Sequence, residues 1–224
     1  MKPELEISRR SFVRAAGLAP AAVTAPGSPA ASSGLAQATA GGARLTVTKD
    51  GIIQAETPAL LARLERGFLT SLRNKASSEE YITGFDLRKF DALQLVYPRG
   101  ETVDVGEQKF GKVETRQVTD LGAEVIFQNW DGDGVMSVSV DPASGDLVVE
   151  PSAFSSRPGV RACRWRLMGL RRDLKLVAPF FQGVSLNLDD PLIRSSHWAW
   201  PQAWEAGLAI LQASSHGFSI HARD

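Results

Sequence analysis

Large apolar residues alternate with polar residues at every second position in several short segments of the chain. Serine is the polar partner in Met136–Val140 and arginine in Cys163–Leu167, and the same alternation returns in Val184–Leu188 and Phe218–His221. A period of two places one set of side chains on one face of an extended strand. The pattern therefore predicts short β-strands that bury a single face.

Turn signals separate these segments at intervals of roughly ten residues. They include Lys49–Gly51, Arg66–Gly67, Pro98–Gly100, Asp131–Gly134 and Arg157–Gly159. Short strands separated by turns at this spacing predict an all-β fold, and we expect an antiparallel β-sandwich.

Helical patterns are sparse. Pro58–Leu64 could form one helical turn or two, and Phe68–Leu72 favours the return arm of a hairpin after Arg66–Gly67. Trp204–Leu211 fits either a helix or a strand, because Trp204, Leu208 and Leu211 also follow a helical spacing. We interpret this last segment as a strand.

The first 38 residues have the three parts of a twin-arginine export signal. Ser8–Arg14 contains the arginine pair, Ala15–Val23 is a weakly apolar run, and Ala36–Ala38 is an A-x-A cleavage site. The apolar run is too short to cross a membrane.

We expect residues 1–38 to be a disordered or helical signal, 39–43 a linker, and 44–224 one β-sandwich domain. The mature domain would be periplasmic or extracellular, with the twin-arginine export machinery as a partner and no membrane association.

Charge and cysteine content narrow the function classes. The signal carries four of the 25 basic and two of the 25 acidic residues, so 21 basic and 23 acidic residues remain and the net charge is near −2. Nucleic-acid binding requires a clustered positive surface, and we therefore expect no nucleic-acid partner. The single cysteine, Cys163, excludes an internal disulfide.

Candidate catalytic and metal sites each have a simpler structural interpretation. Asp131–Gly134 lacks the later oxygen ligands of a helical calcium loop, because Val135 and Pro142 occupy those positions, and a hairpin turn explains it better. His216 and His221 are five residues apart, so an extended strand places them on opposite faces. No nucleophile elbow or phosphate loop is present. We therefore expect no catalytic residue, no cofactor and no metal.

The most distinctive segment is His197–Glu205, which holds three of the five tryptophans within seven residues. Flat indole faces beside polar groups suit a sugar, because the ring stacks on a pyranose while polar groups bind its hydroxyls. A tryptophan-rich plug, or a face that docks another domain, is the alternative. The candidate carbohydrate-binding residues are Trp198, Trp200, Trp204, Glu205 and His221.

The C-terminal part resembles a known class of proteins. Leu174–Val184, Leu188–Leu192, Trp198–Leu208 and Gly217–His221 are similar to segments of secreted glycoside-hydrolase-like proteins, in which a galactose-mutarotase-like β-supersandwich precedes a catalytic (β/α)₈ barrel. The resemblance covers roughly residues 43–224. It implies a supersandwich domain, incomplete at its C-terminus, whose catalytic barrel lies outside this chain and is a candidate partner.

Three functional hypotheses follow. The leading one is an exported accessory β-sandwich of a carbohydrate-active protein that shapes a site for an oligosaccharide or polysaccharide and has no activity alone. The second is a mutarotase-like or lyase-like enzyme in which His221 or His197 pairs with Glu205 as acid and base, which requires about 7 Å or less between them in a pocket. The third is an inactive truncated fragment, which would expose an apolar patch of several hundred Å².

Overall fold

The computed structural model describes residues 5–8, 11–16, 42–105, 111–179, 183–195 and 206–222. Strands account for 57% of the structure, helices are few, and the sheets are antiparallel. The prediction of an all-β protein is therefore confirmed.

The described part of the chain contains seventeen strands and three short helical segments, joined by turns and loops. The strands are β1 (Leu5–Ser8), β2 (Ser11–Ala16), β3 (Arg44–Val47), β4 (Ile52–Glu56), β5 (Leu60–Glu65), β6 (Phe68–Asn74), β7 (Leu93–Val96), β8 (Thr102–Val105), β9 (Lys112–Thr119), β10 (Gly122–Trp130), β11 (Gly132–Val140), β12 (Leu147–Ser155), β13 (Ala162–Leu167), β14 (Lys175–Ala178), β15 (Val184–Asn187), β16 (Leu208–Gln212) and β17 (Gly217–Ala222). The α-helix α1 is Pro191–Ser195, and the 3₁₀ helices are Leu87–Lys89 and Pro98–Gly100.

The strands form three sheets. One has the order β3-β4-β5-β6, a second has the order β1-β13-β7-β8, and the largest has nine strands in the order β15-β14-β16-β17-β2-β12-β11-β10-β9. The arrangement of the sheets is propeller-like and is not clearly the expected sandwich.

The β3–β6 sheet is a meander of hairpins. Arg66 and Gly67 connect β5 to β6 with φ of 52° and 84°. Positive φ at both positions matches the right-handed twist of the flanking strands, as in a type I′ turn. The predicted return arm Phe68–Leu72 is therefore confirmed within β6, whereas the helical alternative for Pro58–Leu64 is wrong because Leu60–Leu64 belongs to β5.

The alternating segments bury the faces that the sequence predicts. In β11, Met136, Val138 and Val140 are buried and the intervening residues are only partly covered. Strand β17 departs from this rule, because Phe218, Ser219 and Ile220 are all buried. It lies inside the nine-stranded sheet between β16 and β2, where both faces are covered at these positions.

One apolar core cluster joins residues from all three sheets. Trp165 of β13 is fully buried, and its indole Nε1 donates a hydrogen bond of 2.9 Å to the carbonyl oxygen of Gly67. This contact ties the β1-β13-β7-β8 sheet to the β5–β6 turn.

Two segments of the expected export signal form strands, so the expected disordered or helical conformation is wrong for these segments. Residues 5–8 form β1 beside β13, and residues 11–16 form β2 between β12 and β17. The physical reason is that β12 and β17 each present an unpaired edge toward the other, and an extended segment supplies the backbone partners that both edges require.

Candidate functional site

His221 is the predicted site residue that the structure describes. It lies near the end of β17, opposite Leu208 of β16 on one side and Phe12 of β2 on the other, and it is half-buried. Trp198, Trp200, Trp204 and Glu205 lie outside the described residues, as does His197. The acid–base pairing of His221 or His197 with Glu205 therefore remains a prediction.

The sheet order shows where the tryptophan-rich segment belongs in the topology. Strands β15 and β16 both pair antiparallel with β14, one on each side, so they run parallel to each other. Two parallel strands of one sheet cannot be joined by a tight turn and need a crossover connection. Residues 188–207 form this connection, which contains α1 and the segment His197–Glu205.

The crossover rejoins the sheet beside His221. The backbone N–H of Ala222 donates 2.7 Å to the carbonyl oxygen of Gly207, and a Cβ added at Gly207 would lie 2.5 Å from the carbonyl oxygen of Ala222. Only glycine permits this close approach. The residues that directly follow Glu205 are therefore held against the end of β17 that carries His221.

Leu208, Ile210, Ser219 and His221 share one face of the β16–β17 pair, because Leu208 is opposite His221 and Ile210 is opposite Ser219. The other face, with Leu211 and Phe218, belongs to the core. Leu208, Ile210 and His221 are half-buried. This face combines aliphatic surface with an imidazole.

A second polar cluster, which the sequence analysis did not identify, lies at the opposite end of β16 and β17. The Ser214 and Ser215 hydroxyls donate to the Glu79 carboxylate at 2.8 and 3.3 Å, and Ser215 Oγ lies 2.9 Å from His216 Nδ1. Glu79 is 135 residues from Ser214, so no local signal could have revealed the cluster.

The second cluster combines the residue types of a catalytic triad in a different arrangement. In a triad the carboxylate orients the imidazole, which in turn activates the serine. Here the Glu79 carboxylate accepts from the two serines instead, and Ser214 and Ser215 are exposed. We interpret this cluster as a link between the β16–β17 turn and the loop that follows β6.

The adjacent carboxylates Glu79 and Glu80 serve different partners, as expected for neighbours on an extended chain. Glu80 accepts from Ser71 Oγ at 2.5 Å, from the Leu72 N–H at 2.7 Å and from the Ile82 N–H at 3.1 Å. Glu79 therefore binds the β16–β17 turn and Glu80 binds β6 and Ile82, and the two do not form an acid–base couple.

The Asp131–Gly134 segment lies at the hairpin between β10 and β11, where Asp131 connects the two strands and Gly132–Gly134 begin β11. The Asp131 carboxylate accepts from Ser155 Oγ at 3.1 Å and from Ser156 Oγ at 2.6 Å, which fastens the turn to the end of β12. Across the part of the chain that the structure describes, no three His, Cys, Asp or Glu side chains are grouped so that they could hold a metal ion.

Cys163 has no features of a reactive thiol. Burial raises its pKa to about 12, because a thiolate in apolar surroundings loses its hydration. A nucleophilic cysteine requires a lowered pKa.

Comparison with known proteins identifies no relative: no family model, no curated protein and no solved structure matches the chain. Among the described residues, no helix is long and apolar enough to span a membrane.

Proposed function

We propose that this chain is an exported accessory β domain of a carbohydrate-active, glycoside-hydrolase-like protein, and that it shapes a saccharide site without being the catalyst. The observation that carries the proposal is the crossover between β15 and β16. It contains the tryptophan-rich segment and returns to the sheet beside His221.

The fold is compatible with the supersandwich part of the proposal. The nine-stranded antiparallel sheet and the core that it shares with the other two sheets support this part of the proposal, although the arrangement is not clearly a sandwich. We propose that the β14–β17 strands belong to such a layer. The motifs of the resemblance also fall within these strands and the crossover.

Large exposed apolar residues give little support to the inactive-fragment hypothesis. In the described ranges they are Leu61, Val118, Phe154 and Leu192, which lie on four different elements. An unfinished interface would gather such residues into one patch.

Affinity electrophoresis and calorimetry with a panel of soluble polysaccharides and their oligosaccharides test the sugar-binding proposal. The full chain should bind at least one of them, and Trp200→Ala should weaken binding at least ~10-fold, because aromatic stacking and buried apolar area are lost. Phe154→Ala is the matched control, since this phenylalanine is 61% exposed on β12, which pairs with neither β16 nor β17. Absence of binding, or equal binding by Trp200→Ala, would contradict the proposal.

The same samples separate binding from catalysis. Mutarotation, reducing-end release and unsaturated-product assays should show no turnover by this chain. Turnover that His221→Ala abolishes, while binding persists, would favour the enzyme hypothesis instead.

Export is tested by cell fractionation. The wild-type chain should be processed after Ala38 and found outside the cytoplasm, whereas the double variant Arg9→Lys, Arg10→Lys should remain inside as the full-length form. Equal processing of both forms would overturn the twin-arginine assignment.

A further inference from the structure

Strand β2 occupies an internal position of the nine-stranded sheet although it comes from the predicted export signal. Its register with β17 has six residue pairs, from Gly217↔Ala16 to Ala222↔Ser11, and its register with β12 has three. In the described sheet, β12 and β17 do not pair with each other, because β2 lies between them. Removal of β2 would therefore leave a groove one strand wide between two unsatisfied edges.

The groove borders the core. Val13 is paired with Leu147 on one side and with Ile220 on the other, and these two neighbours are 0% and 3% exposed. Both flanking edges have backbone N–H and C=O groups that need partners. An empty groove would leave these groups unpaired and open the core beside Leu147 and Ile220, so the groove favours an extended peptide as its occupant.

Strand β1 shows a second complementary register at β13. Leu5 is opposite Leu167, Ile7 is opposite Trp165, and Glu6 is opposite Arg166. The register thus places apolar positions opposite apolar positions and an acidic position opposite a basic one, a sequence pattern typical of antiparallel pairs.

We propose that the body of the domain is a receptor for extended peptide segments, and that residues 5–8 and 11–16 are its built-in ligand. The site consists of the groove between β12 and β17 together with the edge of β13 that β1 covers. Recognition is by strand addition, in which main-chain hydrogen bonds supply affinity and alternate positions supply specificity. Cleavage after Ala38 leaves this site without a covalently attached ligand. The proposal is independent of saccharide binding.

The test uses the full chain with a specific protease site introduced among residues 24–34. After folding, the connection is cut and the sample is passed over a size-exclusion column at micromolar concentration. The N-terminal fragment should co-elute with the body, and the amides of β12 and β17 should keep the slow hydrogen exchange of the uncut chain. A synthetic peptide of residues 5–16 in excess should displace the fragment.

Two variants separate this site from general destabilisation. Val13→Pro removes a backbone donor in the middle of an internal strand and should weaken retention of the fragment at least ~10-fold. Ser33→Pro, outside both strands, is its matched control and should retain the fragment. Should Val13→Pro fail to fold, Glu6→Lys tests the β13 edge alone and should shorten retention.

Immediate separation of the wild-type fragment, with unchanged exchange in β12 and β17, would overturn the proposal. Equal retention of wild type and Val13→Pro would overturn it as well.

Discussion

The β3–β6 sheet and the β14–β17 part of the nine-stranded sheet are both antiparallel, but they differ in how far apart in the sequence their paired strands lie. In the first, each strand pairs with its neighbour in sequence, and the whole sheet is built from residues 44–74. In the second, the neighbours are β15, β14, β16, β17 and β2, which come from residues 11–222. The first is specified by its turns, whereas the second depends on contacts between distant segments.

This difference has an energetic origin. A short hairpin closes a small loop, so little chain entropy is lost before its strands pair. Joining residues 11–16 to residues 217–222 closes a loop of about two hundred residues, and only a buried contact of high complementarity offsets that cost. The candidate sugar-binding region and the peptide groove both lie in the long-range part.

The largest expected effect tests whether the β3–β6 sheet is self-sufficient. Trp165→Ala removes a fully buried indole and its hydrogen bond to Gly67, and the free energy of unfolding should fall by about 3–5 kcal/mol. Because the lost hydrogen bond joins Trp165 of β13 to Gly67 in the β5–β6 turn, hydrogen exchange in β5 and β6 should also become faster. Trp165→Phe is the control, which keeps most of the buried ring and loses the donor. Unchanged exchange in β5 and β6 would show that the hairpin sheet stands alone.

A smaller effect separates turn conformation from packing within the β3–β6 sheet. Gly67→Ala adds a Cβ that would lie 2.9 Å from both Ala92 Cβ and Phe127 Cζ, at a φ of +84°. Gly51→Ala has a similar φ of +74°, but its nearest neighbour is Thr115 Oγ1 at 3.6 Å. Both substitutions should cost ~1 kcal/mol or more for the left-handed conformation, and Gly67→Ala should cost ~1–3 kcal/mol beyond that in chemical denaturation. Equal losses would show that the turn alone decides the hairpin.

The smallest effect concerns surface charge on the same sheet. Hydrogen bonding and attraction from Lys75, assisted by Arg44, hold the pKa of Glu56 below its usual value. A carboxylate whose pKa is lowered by folding stabilises the native state above its unfolded pKa, and this contribution is lost as pH falls through the folded value. Glu56→Gln should therefore lower Tm slightly at pH 7.

The pH and salt dependence provide the check on that prediction. The difference in Tm between wild type and Glu56→Gln should shrink near pH 3 and in high salt, because protonation removes the pair and salt screens it. Glu65→Gln on the adjacent strand is the control for removing one surface charge. A Tm difference that persists at pH 3 would assign the effect to packing.

Local patterns predicted the strands well where one face is buried. The alternation in Met136–Val140 and the Arg66–Gly67 turn both correspond to observed elements, because side-chain period and turn conformation depend on adjacent residues. The same reasoning left Pro58–Leu64 open to a helix, since a short apolar run does not distinguish the two structures without its sheet partners.

The candidate site was predicted less completely. Composition identified the tryptophan-rich segment, and pattern placed His221 on a strand, but the crossover that relates them depends on β14 lying between β15 and β16. The Glu79–Ser214 contact is likewise a product of tertiary structure, since its two residues are distant in the chain.

The sequence by itself determined that this protein is built of short antiparallel strands, because the alternation of side chains and the left-handed turn residues act over a few positions. Only the tertiary structure decided which strands are neighbours, that residues 5–8 and 11–16 join two different sheets, and that the crossover returns beside His221. Strand pairing depends on backbone hydrogen bonds that any extended segment can supply, so the choice of partner is made by burial and register across the whole fold.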